Sequence, residues 1–107
     1  MIQIRVERNA AGQMLGFSVT GHAAYKKKND IVCAGISAIA QTAWIGLEHH
    51  LSVSCDIVID RGDMQLKLPE LSAEEFAIAQ VILSTLLLGF QSLQEGYPNN
   101  IQIIDAI

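Results

Sequence analysis

The residue order predicts an α+β domain of order ββαββαβ, two layers deep, in which a sheet carries two helices packed on one face. Three observations support that expectation. Segments of alternating apolar and polar residues occur in pairs, each pair closed by turn-forming residues. Two long apolar stretches each follow a helix-capping residue, and a short apolar segment trails the second of them. The chain has 107 residues, half of them hydrophobic, so residues 1–107 suit one domain whose core needs no disulfide.

Ile2-Gln3-Ile4-Arg5-Val6-Glu7-Arg8 alternates as a half-buried strand does, Asn9 to Gly12 supply turn chemistry, and residues 14–20 resume the extended pattern. These two strands form a hairpin ending at Gly21-His22. Residues 23–29 are polar and aperiodic. Asp30 then opens a helix that runs to His50, because its carboxylate accepts N–H groups that the first turn leaves unpaired. Val53 to Asp60 alternates again, Arg61-Gly62-Asp63 turns, and Met64 to Leu68 alternates back before Pro69. Ser72-Ala73-Glu74-Glu75 reads as a capping box, in which the Ser72 hydroxyl and the Glu75 carboxylate each take an N–H at the helix start. The helix it opens stays apolar to about Gln94, and Gly96 and Pro98 end it. Ile101 to Ile104 supply a last strand.

Composition excludes several classes of function. Seven Lys and Arg stand against eleven Asp and Glu, a net charge of -4. The chain thus lacks the basic footprint of a nucleic-acid binder, and a basic partner suits it better. The longest apolar stretch, Val81 to Phe90, is about half of the roughly 20 residues a membrane span requires. With Cys33 and Cys55 the only cysteines, and no basic-then-apolar leader, a cytoplasmic location with reduced thiols is expected. The second helix is apolar around most of its circumference, more than so small a domain can bury, and this predicts a homodimer.

Cys33 lies three residues past the cap, in the first helical turn, where the helix dipole favours thiolate over thiol. The Asp30 carboxylate pulls the other way. Asp30, Cys33 and Ser37 follow one helical stripe, whereas Val32, Ile36, Ile39, Ala43 and Leu47 follow another that reads as core. A nucleophilic thiol needs a base within reach, and His22 ends the preceding strand with only a loop between. Taken alone, each residue also has an ordinary reading. A cysteine in an Ala-rich turn is a small buried hydrophobe, a His after Gly is a turn residue, Asp30 is a cap, and Ser37 is helix filler.

Gly21-His22-Ala23, followed by Asp30-Ile31-Val32-Cys33-Ala34-Gly35 and Ser37-Ala38, resembles the signature of the ribosomal-processing cysteine protease (Prp) family. The resemblance implies an endopeptidase that removes a short N-terminal extension from a large-subunit ribosomal protein precursor in Firmicutes and their relatives. It further implies a homodimer with no metal and no other cofactor. By motif position His22 is the general base and Cys33 the nucleophile, Asp30 and Ser37 support the site, and Gly21 lets the chain approach closely. Ala34 and Gly35 are small enough to admit substrate backbone, and N–H groups at the helix start are expected to hold the oxyanion. The family commonly carries Gly two positions before the Asp, where this chain has Lys28. The loop of Lys26, Lys27 and Lys28 suits a lid, and Tyr25 is its residue best suited to touch a peptide. The family relationship also suggests an apolar or aromatic stretch before the cut and a basic one after it.

Cys55 alternates with Val53, Ile57 and Ile59, so its thiol should face the core. Arg61-Gly62-Asp63 is a tight turn, His49 and His50 complement the helix C-terminus, and no spacing resembles a zinc site. Trp44 and Phe90 are expected in the core or at the dimer interface. Two further functions compete with the peptidase: a non-catalytic ribosome-associated module binding a basic segment, and a thiol-dependent sensor or enzyme.

Overall fold

The computed structural model describes residues 1–22 and 30–105. The element order is β1 (Ile2–Arg8), β2 (Met14–Thr20), α1 (Ile31–His50), β3 (Asp56–Asp60), β4 (Asp63–Lys67), α2 (Ala73–Gly96) and β5 (Ile101–Asp105). The five strands form one sheet in the order β3-β4-β2-β1-β5, antiparallel except for the β1–β5 pair. The expected α+β order is therefore the observed one.

The register turns the alternation of each strand into rows across the sheet. Ile4 stands beside Val19 and Ile103, and Val19 beside Met64; Val6 stands beside Phe17, and Phe17 beside Leu66. These rows form the apolar face under the helices, while Gln3, Arg5, Thr20 and Gln65 occupy the other face, since side chains alternate at every residue. Onto the apolar face α1 lays Val32, Ile36, Ala40, Ala43 and Leu47, and α2 lays Ala79, Leu83, Leu86, Leu87 and Phe90. Both helices are long and apolar enough to cross a membrane by length and composition alone. Here their buried stripes pack on the sheet, the ordinary arrangement of core helices. Phe90 is fully buried and meets Phe17 edge to face, with ring centroids 6.1 Å apart. Such a pair adds about 0.5–1.5 kcal/mol beyond the area it buries.

Three details depart from the sequence reading. The third strand begins at Asp56, not Val53, and Val53 is 47 % exposed. Ile59 lies in the core-facing row opposite Met64 yet is 53 % exposed, because β3 is the edge strand and the sheet extends past the helices there. Cys55 is buried as expected, at 8 %. Finally, Ser72 caps α2 by accepting the Glu75 N–H, but the Glu75 carboxylate does not return the bond. It accepts instead from the Ser52 N–H at 3.0 Å and so ties the end of α1 to the start of α2.

Two devices hold the rims of the sheet. At the irregularity where β1 and β2 shift register, Gln80 of α2 both donates to and accepts from the Met14 backbone at 2.8 Å. This satisfies a strand peptide that the ladder leaves over. Arg8 forks onto Asp105 at 2.7 and 2.9 Å and also donates to the Gly12 carbonyl, clamping the first turn to the last strand.

Candidate active site

Asp30 has extended backbone angles and its Oδ1 accepts from the N–H groups of Val32 and Cys33, at 2.9 and 3.1 Å, so α1 starts where the cap chemistry predicts. This fixes Cys33 in the first turn, half-buried and packed against the edge of the core. On the other side, β2 ends at Thr20, and Gly21 turns the chain with a φ of +85°. A Cβ at Gly21 would lie 2.7 Å from the Met1 carbonyl oxygen, closer than real side chains come, so both the backbone angle and the space require glycine there. His22 follows at once and is exposed.

The two segments face each other across an open cleft. Its walls include Gly21, His22, Cys33 and Ser37, its floor is Val19 and Ile36, and Gly62 from the β3–β4 turn closes one end. Val19, Ile36, Ser37 and Gly62 also line a continuation of the cleft along α1, bounded by Ala40, Gln41, Ile59 and Met64. The exposed Ile59 is thus explained: it lines the cleft extension and does not belong to the core.

Of the residues singled out from sequence, Gly21, His22, Cys33 and Ser37 line one cleft, and Asp30 shapes it through the helix cap. Ala34 is exposed and is not among the lining residues. Gly35 faces away, since a Cβ there would meet the Leu93 side chain of α2 at 3.1 Å, so its smallness serves the contact between helices. Tyr25 and the Lys26–Lys28 segment lie outside the described residues. Three of the N–H groups at the helix start serve the cap and the first helical turn. Those of Val32 and Cys33 bond to the Asp30 carboxylate, and that of Ala34 bonds to the Asp30 carbonyl at 3.0 Å. The helix dipole still places its positive end beside Cys33.

Cys55 offers a contrast. Burial, reinforced by the charges of Glu48 and Asp56, pushes its thiol up to about 11, which holds it protonated and unreactive at neutral pH. Two participants were missed in the sequence. Gly62 reaches the cleft because β4 pairs with β2, which brings the β3–β4 turn beside the end of β2. Asp63, read as a turn residue, accepts the Gly21 N–H at 3.1 Å across 42 residues of chain. No local signal marks either.

A thiol in a first helical turn and an imidazole at a strand end, both at one cleft, are the residue types that thiol-dependent hydrolases use. The model of the family described as cysteine protease Prp matches residues 1–102, and the chain belongs to that family. Among its relatives, the ribosomal processing cysteine protease Prp of Bacillus subtilis is 29 % identical over 115 residues, covering 100 % of this chain and 99 % of that one. The Staphylococcus aureus protein of the same name is 33 % identical over 109 residues, covering 96 % and 97 %. The crystal structure of the S. aureus protease with a covalently linked product peptide superposes with a TM-score of 0.88 at 29 % identity, over 99 % of this chain and 100 % of that one. SMU.848 from Streptococcus mutans superposes at 0.83 with 26 % identity, over 98 % and 93 %. The chain is a cysteine peptidase.

Proposed function

We propose that this peptidase removes the short N-terminal extension of a large-subunit ribosomal protein precursor, using Cys33 as nucleophile and His22 as general base. The observation that carries the proposal is that His22 and Cys33 line one cleft. The names of the S. aureus and B. subtilis relatives, and the substrate and product peptide complexes of the S. aureus protease, support the substrate class. His22 takes the Cys33 proton as the sulfur attacks the scissile carbonyl. The tetrahedral oxyanion collapses, the C–N bond breaks, and the departing amine leaves with the proton that His22 returns. Water then attacks the thioester with His22 again as base, releasing the acid product and free Cys33.

The positive end of the α1 dipole favours the oxyanion of the tetrahedral intermediate. The extension of the cleft past Ile36 carries Ile59 and Met64 among its lining residues, and these suit an apolar side chain before the cut. The acidic surface suits the basic stretch after it, and the compartment that fits such a substrate is the cytoplasm.

The unit is a homodimer in this proposal. Along the outer faces of α1 and α2 runs an apolar groove bordered by Ile39, Val81, Ile82 and Leu86, and beside it Val81 and Leu88 are 66 % and 65 % exposed. A second copy of the chain covers that surface, and Val81→Asp with Leu88→Lys should yield a monomer by sedimentation. A doubly substituted protein that sediments like the wild type removes this face as the interface.

The peptidase reading is tested by mass spectrometry of a junction-spanning peptide of the same organism's precursor. Wild-type protein should cut it at one bond and Cys33→Ala should leave it whole. Failure of folded wild-type protein to cut the correct peptide overturns the substrate assignment.

A further inference from the structure

The residue facing Asp60 across the mouth of the β3–β4 hairpin is Asp63. Like charges directly opposite one another destabilise a strand pair, so hairpin stability gives no reason for a carboxylate at this position. The turn itself is provided by Arg61 and Gly62, whose φ values of +51° and +90° are those of a tight primed turn. A locally unfavourable residue calls for an explanation elsewhere in the molecule.

That explanation lies at the end of β2. The ladder between β2 and β1 ends at Gln3 beside Thr20, and that between β2 and β4 ends at Val19 beside Met64. Gly21 therefore lies beyond both ladders, yet the direction of the chain at Gly21 sets where His22 stands. The Asp63 carboxylate takes the Gly21 N–H at 3.1 Å, a charge-assisted bond, while the Met1 carbonyl confines the same residue from its Cα side. The neighbouring Gly62 lines the cleft together with His22 and Cys33.

We propose that Asp63 is a positioning residue for His22. Its carboxylate fixes the Gly21 peptide and thereby holds the imidazole on the Cys33 side of the cleft. The proposal rests on the His22–Cys33 reading above and adds a residue from the far hairpin to it. Asp63 touches neither substrate nor sulfur; it acts only through the Gly21 backbone.

The test is a double-mutant cycle read by the rate at which iodoacetamide alkylates Cys33 at pH 7, followed by peptide mass mapping, so it needs no peptide substrate. Asp63→Ala should slow alkylation about tenfold in the protein with His22, equivalent to about 1.4 kcal/mol, and should change nothing in the His22→Ala background. Asp63→Asn keeps an acceptor oxygen and should stay within about twofold of wild type. In a cleavage assay Asp63→Ala should lower kcat while KM stays near the wild-type value.

Equal slowing in both backgrounds, or none in either, overturns the positioning role. So does an Asp63→Asn variant as slow as Asp63→Ala, because then the charge matters and the hydrogen bond does not. If His22→Ala alone leaves alkylation unchanged, the dyad reading fails and the positioning role with it. Loss of peptide cleavage by wild type, with the alkylation cycle intact, removes the substrate assignment alone.

Discussion

Replacing Gly21 by Ala tests how tightly the end of β2 is held. A φ of +85° is disfavoured for a residue with a Cβ by about 1–2 kcal/mol. The new methyl would also stand 2.7 Å from the Met1 carbonyl oxygen, a backbone atom at the start of β1 that cannot swing aside as a side chain would. Overpacking of that kind adds about 1–3 kcal/mol, so the substitution stores about 2–5 kcal/mol unless the chain moves. A domain of this size has about 5–15 kcal/mol of stability, so the variant should still fold, with its urea midpoint lowered. The strain is relieved by rotating the peptide between Thr20 and His22, and that rotation displaces the imidazole. A displacement of about 1 Å lowers the rate by up to about a hundredfold. The measurements are urea unfolding and kcat/KM on the junction peptide. Gly12→Ala serves as control, because Gly12 has a similar φ of +83° but a methyl added there would meet nothing within 4 Å. The control should lose about 1–2 kcal/mol and keep its kcat/KM. Wild-type stability and activity in Gly21→Ala, or equal activity losses in both variants, would refute the reasoning.

Two further outcomes follow from the same structure. Iodoacetamide at pH 8 should label Cys33 in the folded protein and spare Cys55 until urea is added, since burial first, and then Glu48 and Asp56, hold that thiol protonated. Because the folded value of Cys55 lies above its ordinary 9.0, its contribution to stability is present below about pH 9 and is lost as pH rises towards 11; equal labelling of both thiols would contradict this. Arg8→Ala should destabilise the fold by about 1–3 kcal/mol at pH 7 by breaking the fork onto Asp105. The Arg8 hydrogen bond holds the Asp105 carboxyl below its ordinary range, so this stability is present above about pH 4 and disappears as pH falls further, and the two unfolding curves should converge there.

Local chemistry carried the elements. Alternation, the Asp30 and Ser72 caps and the Arg61–Gly62 turn act over a few residues, so the seven elements and the helical placement of Cys33 could be read without the fold. The Gly-His-Ala and Asp-Ile-Val-Cys-Ala segments, read as a pair, also pointed to the family. Alternation alone misjudged Ile59, because it reports which face a residue occupies and not whether a helix covers that face, and it misjudged Val53, which precedes β3 in a bend. The capping-box pattern misjudged Glu75 because Ser52, distant in sequence, competes for its carboxylate.

Only the tertiary structure decided what each small or polar residue serves. Strand order brings β4 beside β2, which places Gly62 in the cleft and the Asp63 carboxylate on Gly21. Helix packing turns Gly35 towards Leu93, and the Asp30 carboxylate takes the N–H groups of Val32 and Cys33. The physical reason is the same throughout. Periodicity and capping are short-range and written in consecutive residues, whereas strand pairing, burial at a sheet edge and competition for a hydrogen bond depend on segments that meet only when the chain has folded.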